Sequence, residues 1–133
     1  MRARLVGVRA LGRSADGLDA QARLSVDVRT DARRVTVSSP ATPTGETAIS
    51  RVSATSAPVH DGHVRLSTVW RADATTGYVE PPTLRVTVRT DHGAYPFLLR
   101  ITSGALADVI AAEFVGIPRD DLTNFGWDAP ARS

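Results

Sequence analysis

Leu24-Ser25-Val26-Asp27-Val28-Arg29 is the stretch that decides how this chain folds. Leu and Val alternate with Ser, Asp and Arg. A period of two places the apolar side chains on one side of a strand and the polar ones on the other. One dry face and one wet face describe an antiparallel sheet rather than a buried parallel one. Leu84-Arg85-Val86-Thr87-Val88-Arg89 repeats the pattern over six residues, and Val64-Arg65-Leu66-Ser67 repeats it over four.

Candidate strands extend outward from these segments, at about Arg2–Ala10, Ala20–Arg29, Arg33–Ser39, Thr47–His60, His63–Ala72, Pro82–Thr90 and Ala94–Thr102. Turn formers separate most of them. Asp61-Gly62 is a favoured pair for a type I′ turn. A two-residue loop there sets Val59 opposite Val64, Ala57 opposite Leu66 and Ser53 opposite Trp70. Thr30 to Arg33 reads as a second hairpin loop, with Leu24, Val26 and Val28 on the same face as Val35 and Val37. A four-residue loop from Asp91 to Ala94 closes a third, pairing Val88 with Phe97 and Val86 with Leu99. Pro96 cannot donate a backbone hydrogen bond, so its strand belongs at an edge or a bulge. Two connections are rich in turn formers: the 38–46 segment, which reads as a loop or an interaction arm, and the 74–82 segment, which carries Tyr78.

The pattern changes after Ser103. Leu106, Val109, Ile110 and Phe114 follow helical spacing over 104–115, with Ser103 as N-cap, Gly116 beyond the end and Pro118 as a stop. Leu122 and Phe125, followed by Gly126, suggest a short helix over 119–125, and Trp127 anchors the tail. The expected fold is mostly β with a C-terminal helical part. About seven antiparallel strands form a sandwich or partly closed barrel, closed by the 104–115 helix.

At 133 residues the chain is the size of one ordinary domain, taken as residues 1–133. Hydrophobic residues at 42% and charged residues at 23%, with a mean hydropathy of −0.10, describe a globular protein with its own core. No apolar run approaches the ~20 residues that a membrane helix needs. Arg9 interrupts the first apolar segment, so no signal core is read there, and a cytoplasmic, membrane-free protein is expected. The absence of Cys excludes disulfides, thiolate nucleophiles and Cys-based metal sites. All sixteen cationic residues are Arg, which excludes Schiff-base and P-loop lysine chemistry. With abundant Ala, Val and Gly, this composition fits a GC-rich, bacterial coding bias.

Catalytic signatures are weak. His60, Asp61 and His63 offer two imidazoles where zinc needs three or four ligands, so no metal is assigned. No nucleophile elbow occurs, and Asp120 and Asp121 fit the first turn of a helix better than an acid–base pair. No phosphate loop or dinucleotide fingerprint is present, and no cofactor is expected. Catalytic residues are left unassigned, and an enzyme is disfavoured.

Three functional readings follow. The first is a non-enzymatic binding or assembly module, a self-associating subunit of a larger protein complex such as a phage-type particle. Its expected interface is Leu106, Val109, Ile110 and Phe114 on an unusually apolar helix. The second is a small-molecule barrel, a carrier or cyclase, enclosing an apolar ligand among Trp70, Tyr78, Tyr95, Phe97 and Phe114. The third is a polyanion or nucleic-acid binder using Arg23, Arg29, Arg34, Arg65, Arg71, Arg85 and Arg89 on the wet strand faces. Scarce aromatics, 5% of residues, weigh against this last reading, because single strands bind by stacking.

Overall fold

A computed structural model describes residues 1–39, 50–73, 81–113 and 118–129. The strands are β1 (Arg2–Arg13), β2 (Asp19–Arg29), β3 (Arg34–Ser38), β4 (Ser50–Val52), β5 (Thr55–Pro58), β6 (His63–Asp73), β7 (Thr83–Thr90) and β8 (Gly93–Arg100). Helix α1 (Gly104–Glu113) and a 3-10 helix (Arg119–Phe125) follow. The strands form two antiparallel four-stranded sheets, β1-β2-β6-β4 and β5-β3-β7-β8. The architecture is a β-sandwich with a C-terminal helix; among the described residues no closed barrel forms.

Alternation explains the core. Ala20, Ala22, Leu24, Val26 and Val28 on β2 are fully buried, and Leu66, Trp70 and Ala72 on β6 are nearly so. Val35 and Val37 of β3 and Leu84, Val86 and Val88 of β7 cover them from the second sheet. Each buried Val or Leu contributes about 1.5–3 kcal/mol of transfer free energy.

Two expected hairpins turn out to be crossings between sheets. The 30–33 segment leads from β2 in the first sheet to β3 in the second. Thr30 N–H donates to Gly62 O (3.0 Å) in one sheet, and Arg33 N–H donates to Arg89 O (2.9 Å) in the other. Ala32, 5% exposed, plugs the arch. Leu24, Val26 and Val28 thus face Val35 and Val37 across the interior instead of lying beside them. The expected 47–60 strand is likewise divided. β4 pairs with β6, placing Val52 rather than Ser53 beside Trp70. β5 pairs with β3, so Ala57 meets Val35 and not Leu66. The chain changes sheet at Ser53 and Ala54, where Ser53 N–H donates to Val69 O and Ser53 O accepts from Thr68 Oγ1 (2.5 Å). Of the expected Asp61-Gly62 hairpin only the His60–His63 pair remains, on a type I′ turn with φ of 54° and 74°.

β7 and β8 do form a hairpin, with a loop of two residues rather than four. Thr90 pairs with Gly93, Val88 with Tyr95 and Val86 with Phe97, a shift of two that keeps every face. Thr90 Oγ1 accepts the His92 N–H and tightens the turn.

The C-terminal part begins where Ser103 O accepts the Ala107 N–H. α1 packs against β1 and β2, and Arg13 Nε meets Glu113 Oε2 at 3.2 Å. Gly126 adopts φ 99° after the 3-10 helix, and Trp127 is 3% exposed. Arg119 ties this segment to α1 through Asp108 at 2.7 Å.

Candidate functional site

Of the residues expected to line one ligand site, Trp70, Tyr95 and Phe97 are described, and Trp70 lies in one sheet while Tyr95 and Phe97 lie in the other. Trp70 is 1% exposed, in the core on β6, flanked in its sheet by Ala22 and Val52. Tyr95 and Phe97 lie in the other sheet on β8, 47% and 43% exposed. Tyr78 and Phe114 lie outside the described residues, as do most of the 38–46 and 74–82 connections. On α1, Leu106, Val109 and Ile110 are buried in the chain's own core, at 0%, 8% and 1% exposure. The helix turns these three side chains into the subunit's own core.

Two surfaces stand out instead. The first is the β8 edge. Each sheet ends in two edge strands, and an edge offers unpaired N–H and C=O groups to any other chain. Among the described residues β4 has three residues and β5 has four, too short to offer much. β1 is long but carries register shifts between Leu5 and Gly7 and between Ala10 and Gly12. Such bulges twist an edge away from pairing. β8 is eight residues long and pairs with β7 in unbroken register, and only Leu99 along it is half-buried rather than exposed.

The direction of its free groups follows from the ladder. Ile101 N–H donates to Pro82 O, so odd-numbered residues here point toward β7. Even-numbered residues therefore present Ala94, Leu98 and Arg100 N–H groups to the open edge. Pro96 falls in the same row and has no N–H to give. The opening ends at Thr102, whose C=O accepts the Asp128 N–H at 2.9 Å. Side chains along the edge are apolar on both faces. Tyr95 and Phe97 share the inner face with Val88 and Val86, beyond the cover of the first sheet, while Leu98, on the outer face, is 69% exposed. Leu98 was not among the sequence candidates. Its signal was present: Phe97-Leu98-Leu99 breaks the alternation, so this strand has no wet face.

The second surface is the outer face of the first sheet. β1 contributes Arg2, Arg4 and Arg9, β2 contributes Arg23 and Arg29, β4 contributes Arg51, and β6 contributes Arg65 and Arg71. The expected arginines therefore divide: Arg23, Arg29, Arg65 and Arg71 share this face, while Arg34, Arg85 and Arg89 belong to the second sheet. At one end a recess of about 360 Å³ is lined by Arg2, Arg4, Asp27 and Arg29. Asp27 is 4% exposed. Its carboxylate bonds to His63 Nε2 and lies 3.7 Å from Arg65 Nε. The His63 hydrogen bond, opposed in part by burial and aided by the charges of His63, Arg65 and Arg29, holds the Asp27 carboxyl below the usual carboxylate range. His63 thus serves a carboxylate, and among the described residues no three His, Asp or Glu side chains gather as metal ligands.

No family model, characterised protein or solved structure matches the chain.

Proposed function

We propose that this protein is a non-enzymatic assembly module that joins a second copy of itself through the β8 edge. The observation that carries the reading is a long, regular, apolar edge strand where, among the described residues, the other edges are short or bulged. Strand addition at such an edge supplies main-chain hydrogen bonds for affinity and side-chain pockets for selectivity.

A second copy is favoured because the strand complements itself about a two-fold axis. Antiparallel pairing centred on Phe97 overlaps Ala94 through Arg100 with the same segment of the second copy. Leu98 N–H then donates to Pro96 O of the other chain, and Arg100 exchanges bonds with Ala94. On the inner face Phe97 meets Phe97 and Tyr95 meets Leu99, so half-exposed aromatics become buried. Arg100, the only charged residue of β8, falls opposite Ala94, so no like charges oppose. The interface is isologous, as closed dimers require.

Sedimentation equilibrium tests this reading. The wild type should show a concentration-dependent dimer, and Leu98→Lys should be monomeric, melting where the dilute, monomeric wild type melts. A wild type that stays monomeric, or a Leu98→Lys dimer of equal strength, would refute it.

A further inference from the structure

We infer that the outer face of the first sheet binds the phosphate backbone of a nucleic-acid duplex. Charge segregation is the starting point. The chain's net charge is only +2, yet eight of its sixteen arginines lie on this one face. Three carboxylates share it: Asp19 meets Arg51 at 2.9 Å, Asp27 meets His63 and Arg65, and Asp73 is the third. Asp73 stands at the far end of β6 from the recess.

The arginines at the recess are available. The side chains of Arg2 and Arg4, and of Arg9 further along β1, make no hydrogen bond or ion pair among the described residues, and Arg29 acts on Asp27 only through its charge. Guanidinium groups form bidentate bonds to phosphate, and planar forks suit a row of phosphodiesters. Arg2 and Arg4 are successive outward residues of one strand, about 6.8 Å apart at the antiparallel rise. Arg29 lies beside Arg2 on the neighbouring strand.

The rest of the face narrows the partner. On β2, β4 and β6 the outward positions hold Val69 as their only apolar side chain, and the exposed apolar residues of β1 are Val6 and Leu11, one at each register shift. A membrane-binding surface would present Trp, Phe or Leu to enter the lipid boundary. A single-strand platform would present aromatics to stack on bases. Contacts to phosphates alone suit a duplex, whose bases are already stacked, and predict binding without sequence preference.

Fluorescence anisotropy with a labelled duplex of mixed sequence tests the inference. Roughly five phosphate contacts imply an affinity loss of about 500-fold between about 50 and 200 mM salt. Replacing Arg2 and Arg4 together by Ala should flatten the log–log salt slope by about 1.8. Replacing Arg34 and Arg89 on the other sheet by Ala is the matched control and should leave the slope steep. Absence of binding at low salt would overturn the inference, as would equal flattening in both variants. Vesicles containing phosphatidylserine form the second arm: capture by vesicles with no duplex binding would show a membrane surface instead and overturn it as well.

Discussion

β1 and β8 are the two long edge strands, one per sheet, and they are built in opposite ways. β1 is broken by two register shifts and carries Arg2, Arg4 and Arg9 on its outer face. β8 is regular, carries Tyr95, Phe97 and Leu99 on its inner face and Leu98 on its outer face, and has one gap in its row of edge donors, at Pro96. A charged, bulged edge discourages pairing; a flat apolar one invites it. The sandwich therefore keeps its two candidate interaction surfaces apart, a polyanion face on one sheet and a pairing edge on the other.

Both surfaces depend on one core, so the largest effect comes from breaking it. Trp70→Ala should cost about 3–5 kcal/mol of stability by urea unfolding and abolish both activities together. A smaller loss, with one activity surviving, would mean that the sheets hold their shapes independently.

The next changes separate the edges. Phe97→Glu places a charge where the proposed dimer buries an aromatic pair, and the dimer dissociation constant should rise more than tenfold by sedimentation. Duplex binding by the monomer should be unaffected. Pro96→Val works in the reverse direction by restoring an N–H to the open edge. Two new symmetry-related bonds at about 0.5–1.5 kcal/mol each should tighten the dimer about tenfold. A looser dimer would show that Pro96 does not face the partner.

The smallest effect concerns Asp27. Its folded-state titration lies below the ordinary 3.8, so the ionised carboxylate stabilises the fold above that pH. That contribution disappears as pH falls through the lowered value. Asp27→Asn should therefore be less stable than the wild type near neutrality, with the gap closing below pH 3.8 in urea titrations. A gap that persists in acid would assign the loss to packing.

What the sequence made legible was the face of each residue. Val26, Val35, Val86 and Leu66 are buried where the period of two puts them. It did not reveal the partner of each strand. Thr30-Asp31-Ala32-Arg33 has the chemistry of a hairpin loop, but that chemistry serves an arch between sheets equally well, and parity is satisfied either way. The same ambiguity divided the 47–60 segment. Helix α1 looked like an interface because it is apolar on most sides, but its covering came from β1, β2 and the 3-10 helix within the chain. The exposed edge was legible only as a failure of the rule. Phe97-Leu98-Leu99 departs from the alternation that Leu24 to Arg29 obeys, and burial could not be read from that departure until the neighbours of β8 were known.

Residue-resolved hydrogen exchange across a concentration series tests the central claim most directly. Tyr95, Phe97 and Leu99 amides point toward β7 and should be protected at every concentration. Leu98 and Arg100 amides point to the open edge and should gain protection only as concentration rises toward about 1 mM, where even a −4 kcal/mol contact populates the dimer. Exchange at Leu98 and Arg100 that stays unprotected over the whole series would contradict the account.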